Sequence, residues 1–452
     1  MKVSEAFHTT NQSHPTLKVL LAVILATSLI LGKHFVAFAD LIFLDPSFGA
    51  NGIVTTDVSE NNDTAYAVAL QDDGKIIVAG FSSIVRYNND GTLDSGFGST
   101  GIVHTEVNEN TVNVNAIVVQ ADNKIVVVGA GSNGTDNGFA IIRYNSDGTL
   151  DVDFGNGGLA FTPINTGHDQ ANAVALQSDG KIVVAGTTFS DGLYINDIAV
   201  VRYLTNGILD TTFGIDGISI TDVDMNEDTG YAMVVQNDDK IVVAGQSSNS
   251  TNEDILVIRY SSEGYVDASF GDNGIVTTAI HTGHDVGRAV AMQDDGKIVV
   301  AGWCETGEYS HVMKRDFALV RYNNDGTLDA SFDGDGLVTT AIGTIFDIGQ
   351  AVAIQSDGKI IVAGESFNND GTDYNFAAAR FNSDGSLDTE FSNDGIITTD
   401  ISSRNDKCYA LAIQSDGRII LAGSANGEEK IAVIRYGSSD SYETYIPFVL
   451  TN

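Results

Sequence analysis

Proline and cysteine are nearly missing from this chain of 452 residues, which holds four of the first and two of the second. Two cysteines exclude a disulfide scaffold, and Cys304 and Cys408 stand two repeats apart, too far to be expected as a bridge. Scarce proline beside 48 glycines suits many tight turns rather than a disordered linker. Basic residues are also few, 23 against 60 acidic, for a formal charge of −37. That balance argues against a nucleic-acid partner, because phosphate binding needs a basic footprint, and against attraction to anionic membranes. No GxSxG, HExxH or CxxC occurs. The one long apolar run, Val19–Leu31, follows Lys18 and leads into Ala37-Phe38-Ala39, a small-residue cleavage pattern. It is too short for a comfortable membrane span. Residues 1–39 are therefore read as an export signal, with an uncleaved anchor as the alternative.

What the chain has is repetition. A Q-x-D-x-K-I-x-V-x-G element starts at Gln71, Gln120, Gln177, Gln236, Gln293, Gln355 and Gln414. An arginine followed by an aromatic residue comes after each, and a Leu/Val-Asp-x-x-Phe element recurs seven times from Leu44 to Leu387. Each period of roughly 57 residues holds four short β-branched runs separated by turn residues. In the fifth unit these are Arg288–Gln293, Lys297–Gly302, Phe317–Tyr322 and a run within Thr327–Thr340. The expected fold is all-β: a seven-bladed propeller of four-stranded blades over residues 40–436, in which radial repetition leaves only short edges. A β-solenoid is the alternative. Residues 437–452 form a short tail.

The ends of the repeat favour the propeller. The chain past the signal opens on a fourth-strand motif, Leu44–Thr56, with no blade before it, and the last repeat stops after Arg435-Tyr436. Pairing the N-terminal strand with the last blade closes the ring and orphans no edge. The tail segment Tyr445–Leu450 is a rival for that edge.

The paired signatures Q-S-D-G-K-I-x-V-A-G and R-Y-N-x-D-G-T-L-D-x-x-F-G resemble the delta-60 repeat of bacterial secreted proteins, with an NHL-like blade pattern. The resemblance spans about residues 44–436. It implies a propeller-type fold and a secreted or cell-surface, bacterial extracellular location, but no reaction and no ligand.

RYNNDGTLD, at Arg86–Asp94 and again at Arg321–Asp329, admits several chemistries. With Asn88 opposite Thr92, the loop Asn89-Asp90-Gly91 is a three-residue hairpin whose glycine takes the left-handed position. Arg86 then faces Asp94. The same offset of eight gives Arg143/Asp151, Arg202/Asp210, Arg259/Asp267, Arg321/Asp329 and Arg380/Asp388, and ring closure would supply Arg435/Asp45 as the seventh structural pair. No cofactor is expected; calcium is possible but fits this turn poorly, since Asn-x-Asp-Gly offers too few oxygens at the spacing required. The lysine of Q-x-D-G-K reads as a solvated turn residue.

Function is expected where the repeats disagree, on the face carrying the b–c loops and the d–a crossovers. There the fifth unit stands out. Its loop Trp303–Arg315 holds the single tryptophan, Tyr309 and His311, and the preceding crossover holds His281, His284 and Asp285. These six form the candidate ligand site, with ordinary loop packing as the competing reading. His-x-x-His without further fixed ligands is weak as a metal motif, and the metal content is left open. The leading functional reading is a secreted, non-catalytic, monomeric binding or scaffold module for a protein or glycan, without membrane contact after signal cleavage. The alternatives are a propeller hydrolase or lyase, and a metal-binding propeller.

Overall fold

The computed structural model describes residues 42–437 apart from 60–61, 108–109, 135, 166, 191–194, 250, 308–312 and 369–370. The expected signal and the tail beyond residue 437 lie outside these. The description concerns the unit beginning at Asp40. No helix among the described residues is long and apolar enough to cross a membrane.

Seven antiparallel sheets follow one another in the chain, and a small extra hairpin, Glu106–Val107 with Asn110–Thr111, decorates one crossover. Numbering blades in chain order, strand a is Ala67–Leu70, Asn113–Val119, Gln170–Leu176, Asp228–Val235, Asp285–Met292, Asp347–Ile354 and Lys407–Ile413 in blades 1 to 7. Neighbouring a strands pack side by side around the axis. In blade 5, strands b, c and d are Ile298–Glu305, Arg315–Tyr322 and Leu337–Thr340. Strands b and c therefore run farther toward the variable face than the sequence pattern suggested. Trp303, Glu305 and Arg315, expected in a loop, belong to this extension and pair across it.

The b and c strands are buried on both faces, as IIVAG (Ile76–Gly80) and SIVRY (Ser83–Tyr87) in blade 1 illustrate. The cause is that each blade lies between two others, so these strands carry continuous apolar runs rather than alternation. Each core lies between adjacent sheets. The one joining blades 7 and 1 gathers Phe48, Val78, Val85, Tyr87, Ile420, Ala422 and Val433. A fully buried side chain of this size contributes about 1.5–3 kcal/mol.

The ring closes through the N-terminal segment. Ile53–Thr56 pairs antiparallel with Ile434–Ile431 and supplies strand d of blade 7, while Phe43–Leu44 pairs with Gly437–Tyr436 on the same strand.

Candidate functional site

Every b strand contains a glycine at the same place. A Cβ added at Gly80, Gly129, Gly186, Gly245, Gly302, Gly364 or Gly423 would fall 1.8–2.0 Å from a carbonyl oxygen preceding or within strand a. At this close approach the a–b register slips by one residue in blades 2 to 7. A bulge re-aims the residue it leaves unpaired. Those residues are Asn115, Asn172, Tyr231, Arg288, Gln350 and Tyr409. In blade 1, Tyr66 donates its N–H to the Ala79 carbonyl at 2.9 Å and holds the seventh equivalent position. All seven line one cavity of about 700 Å³ where the a strands converge, at the end of the axis that bears the variable loops.

This ring is pinned. Asn115 Nδ2 donates to the Ala171 carbonyl (2.9 Å) and Asn172 Nδ2 to the Gly230 carbonyl (2.8 Å), each reaching into the next blade. Gln350 Nε2 donates to Glu365 Oε1 at 3.3 Å. The Tyr231 hydroxyl donates to Gln246 Oε1 at 3.2 Å, and the Arg288 guanidinium lies 4.1 Å from the centre of its ring. Tyr66 and Tyr409 meet edge to face at 5.2 Å. Burial, reinforced by the Glu428 charge, pushes the Tyr66 hydroxyl above its usual range, so it stays protonated and can donate. Burial likewise pushes Glu365 up to about 8. His168, Gln170, Thr187, Phe189, Asn196 and Thr229 are the other described lining residues, and none of those described is a carboxylate. The opposite end differs: a cavity of about 650 Å³ among the a–b turns of blades 5 to 7 presents Asp294 and Asp295.

Around the rim of that opposite end runs a second ring, of arginine–aspartate pairs. Arg86 Nε donates to Asp94 Oδ2 at 2.8 Å, and the same bond joins Arg143/Asp151, Arg202/Asp210, Arg259/Asp267, Arg321/Asp329, Arg380/Asp388 and Arg435/Asp45. Each guanidinium also lies 4.4–4.8 Å over the phenylalanine of the same Asp-x-x-Phe element. The lysine of Q-x-D-G-K is not merely solvated. Lys75 lies 3.4 Å from Asp94 and Lys124 2.9 Å from Asp151, with Arg418 taking this place beside Asp45 at 3.2 Å. Through a second nitrogen, Arg86 donates to the Ser146 carbonyl in the next blade's c–d turn, and Arg435 to that of Asn89 in blade 1. Asp90 spends its carboxylate on its own turn, accepting from Thr92 N (3.0 Å) and Thr92 Oγ1 (2.6 Å). RYNNDGTLD is a clasp between blades.

The sequence matches the family described as "Domain of unknown function (DUF5122) beta-propeller" over residues 71–97, 120–154, 177–213, 236–270, 293–332, 355–391 and 414–441. The chain belongs to this family. Each match begins at the glutamine of a Q-x-D element, so the family signature coincides with the clasp. No curated protein matches the DUF5122 propeller. Among solved structures it is similar to virginiamycin B lyase from Staphylococcus aureus, at 12% identity over 85% of this chain and 98% of that one, with a TM-score of 0.49. It is also similar to the PL25 ulvan lyase (10%, 87% and 100%, TM-score 0.48) and to a gluconolactonase from Xanthomonas campestris (13%, 70% and 83%, TM-score 0.34). What those enzymes act on is theirs and is not carried to this chain.

In the DUF5122 propeller the fifth-blade candidates fall in several environments. Trp303 is only 6% exposed, with the Arg315 guanidinium 3.9 Å from the centre of its ring. Tyr309 and His311 lie outside the described residues. His281 is exposed, and His284 pairs with Glu253 across the blade 4/5 junction. Asp285 is fully buried and accepts the Ile280 and His281 backbone N–H groups at 2.7 and 3.1 Å. Asp63, Asp169, Asp228, Asp347 and Asp406 bind the equivalent crossover in their own blades, so Asp285 occupies a repeated capping position. None of the described members of this group lines the channel mouth, whereas His168, from the similar Gly167-His168-Asp169, does.

Among the described residues one group of three side chains brings metal-capable atoms within 4.8 Å of one another: Asp197, Asp222 and Asp228 at the blade 3/4 junction. It includes none of the histidines. Burial, followed by the neighbouring Asp222 and Asp197 charges, raises Asp228 to about 7 against the hydrogen bonds it accepts.

Missing from the sequence reading was the bulge ring. Its signal was present, since an isolated glycine inside a strand run marks a bulge or a close approach. Here that glycine recurs in every blade opposite a residue that changes.

Proposed function

We propose that this propeller is an exported binding module that holds a saccharide in the variable-face mouth of its channel. The observation that carries the reading is the bulge ring: three tyrosines, three side-chain amides and one arginine on a constant scaffold, around a concavity of about 700 Å³. Tyrosine gives an apolar face for sugar C–H groups and a hydroxyl for their oxygens. Amides both donate and accept, as sugar hydroxyls do. The cavity volume falls in the range of small-molecule sites, about 300–1,000 Å³. A protein partner would instead be expected to use a broad surface of about 800 Å². The described lining offers no carboxylate pair and no nucleophile beside a base, which supports binding over turnover.

Isothermal calorimetry of the mature chain against a panel of neutral and charged oligosaccharides tests this. A saturable ligand is expected, with affinity falling about tenfold or more in Tyr231→Ala and in Tyr409→Ala. Affinity unchanged in both variants, or no binding to any saccharide, would remove the reading.

A further inference from the structure

We infer that the group this site selects is an oxyanion, the uronate carboxylate or sulfate ester of an acidic oligosaccharide, docked on the Arg288 guanidinium. The inference rests on the saccharide-binding reading and narrows it.

Arg288 differs from every other arginine among the described residues. The seven clasp arginines each bind an aspartate, Arg315 pairs with Glu305, Arg404 with Glu429, and Arg418 with Asp416 and Asp45. Arg288 has no ion pair and no hydrogen bond among them, and its Nε is buried without a partner. It cannot shed its charge by deprotonating. Glu365 feels the Arg288 charge without touching it, and burial holds that carboxyl toward its neutral form, so it offers only a weak counter-charge. A half-buried guanidinium so weakly compensated is costly, and a bound anion would relieve that cost. Its stacking over Tyr231 orients it, covering a face while leaving edge N–H donors for the planar bidentate contact that carboxylates and sulfates accept.

The surroundings agree. The chain carries 60 acidic residues, yet none of the thirteen described residues that line this mouth is acidic. At the other end of the axis, the turns present Asp294 and Asp295. A site for a neutral sugar would have no need to exclude carboxylates, which are common ligands for sugar hydroxyls. A site for an anion must exclude them, because a like charge beside the ligand opposes binding. Glu365, which accepts the Gln350 amide, has its charged form disfavoured by burial.

Trigalacturonate, its methyl ester, a sulfated galactan oligosaccharide and a neutral galactan oligosaccharide are titrated into the parent, Arg288→Gln and Arg288→Lys by calorimetry at fixed ionic strength. Trigalacturonate or the sulfated probe is expected to bind the parent about tenfold or more tighter than the uncharged probes. In Arg288→Gln that preference should vanish, so that charged and uncharged probes bind within about twofold of one another. Whichever charged probe binds tighter identifies the oxyanion. Equal affinity of the parent for charged and uncharged probes would overturn the inference and leave saccharide binding standing, as would a preference that survives in Arg288→Gln. No binding of any probe would overturn both. If Arg288→Gln fails to fold, Arg288→Lys and the acid-versus-ester comparison in the parent decide the question, since lysine keeps the charge but loses the fork.

Discussion

At the scale of the residue, this protein separates carboxylates held charged from carboxylates held neutral. Burial alone would raise Asp329, but Ser331 and the Arg321 and Lys297 charges outweigh it and hold the group at about 2; Asp267 is kept at the same level in the same way. Such groups stabilise the fold above the unfolded value near 4, and that stability is lost as the pH falls toward 2. Glu365 has the opposite sign. Its folded value of about 8 exceeds its ordinary 4.5, so its contribution is fully present below 4.5 and is lost as the pH rises to 8. Glu365→Gln, which keeps the neutral shape, is therefore expected to melt near the parent at pH 4.5 and increasingly above it up to pH 8. Calorimetric melting across that range checks this, and a difference that does not move with pH would contradict it.

At the scale of the element, the c–d hairpin is a turn and a contact at once. Gly91 has φ of +84°, and a Cβ there would meet Gly49 N at 2.8 Å in the neighbouring blade. Gly358, in an a–b turn, has the same φ of +84° with nothing within 4 Å. Gly358→Ala is expected to cost about 1 kcal/mol from the left-handed conformation alone. Gly91→Ala should cost about 1–2 kcal/mol more, since the blade contact must shift. Denaturant midpoints of the two variants measure the difference, and equal losses would mean that the blade contact carries no energy.

Legibility in the sequence divides at this same scale. The offset of eight between Arg86 and Asp94 could be read because a hairpin fixes cross-strand partners from turn length alone. The bulge at Tyr231 is fainter: Gly245 in the facing strand marks a close approach, but Thr229-Gly230-Tyr231-Ala232-Met233 does not say which residue is left unpaired, and the slip changes only which way one side chain points. Trp303 drew notice by its rarity, yet rarity says nothing of burial, and strand extension took it inside. Lys75 looked solvated because its partner Asp94 belongs to another hairpin, 19 residues on in the sequence.

At the scale of the whole molecule, closure is held by a contact between the two ends of the described chain. Arg435 and Asp45, 390 residues apart, meet at 2.8 Å with side chains 2% and 1% exposed. Removing one member of such a pair costs about 3–5 kcal/mol, because the other is left buried and charged. Arg435→Ala is thus expected to lower the unfolding midpoint far more than Arg404→Ala, whose pair with Glu429 is 61% and 56% exposed. Similar midpoints would contradict closure by this clasp.

Closure also builds the mouth, since the bulge ring takes one residue from each of seven blades and Tyr409 reaches Tyr66 only across the seam. Hydrogen exchange with and without bound saccharide tests that assignment most directly. Protection is expected at the first halves of the a strands, around Tyr66, Asn172, Tyr231, Arg288 and Tyr409, with the turns at Gln293, Gln355 and Gln414 unchanged. Protection confined to those turns or to the outer strands would contradict it.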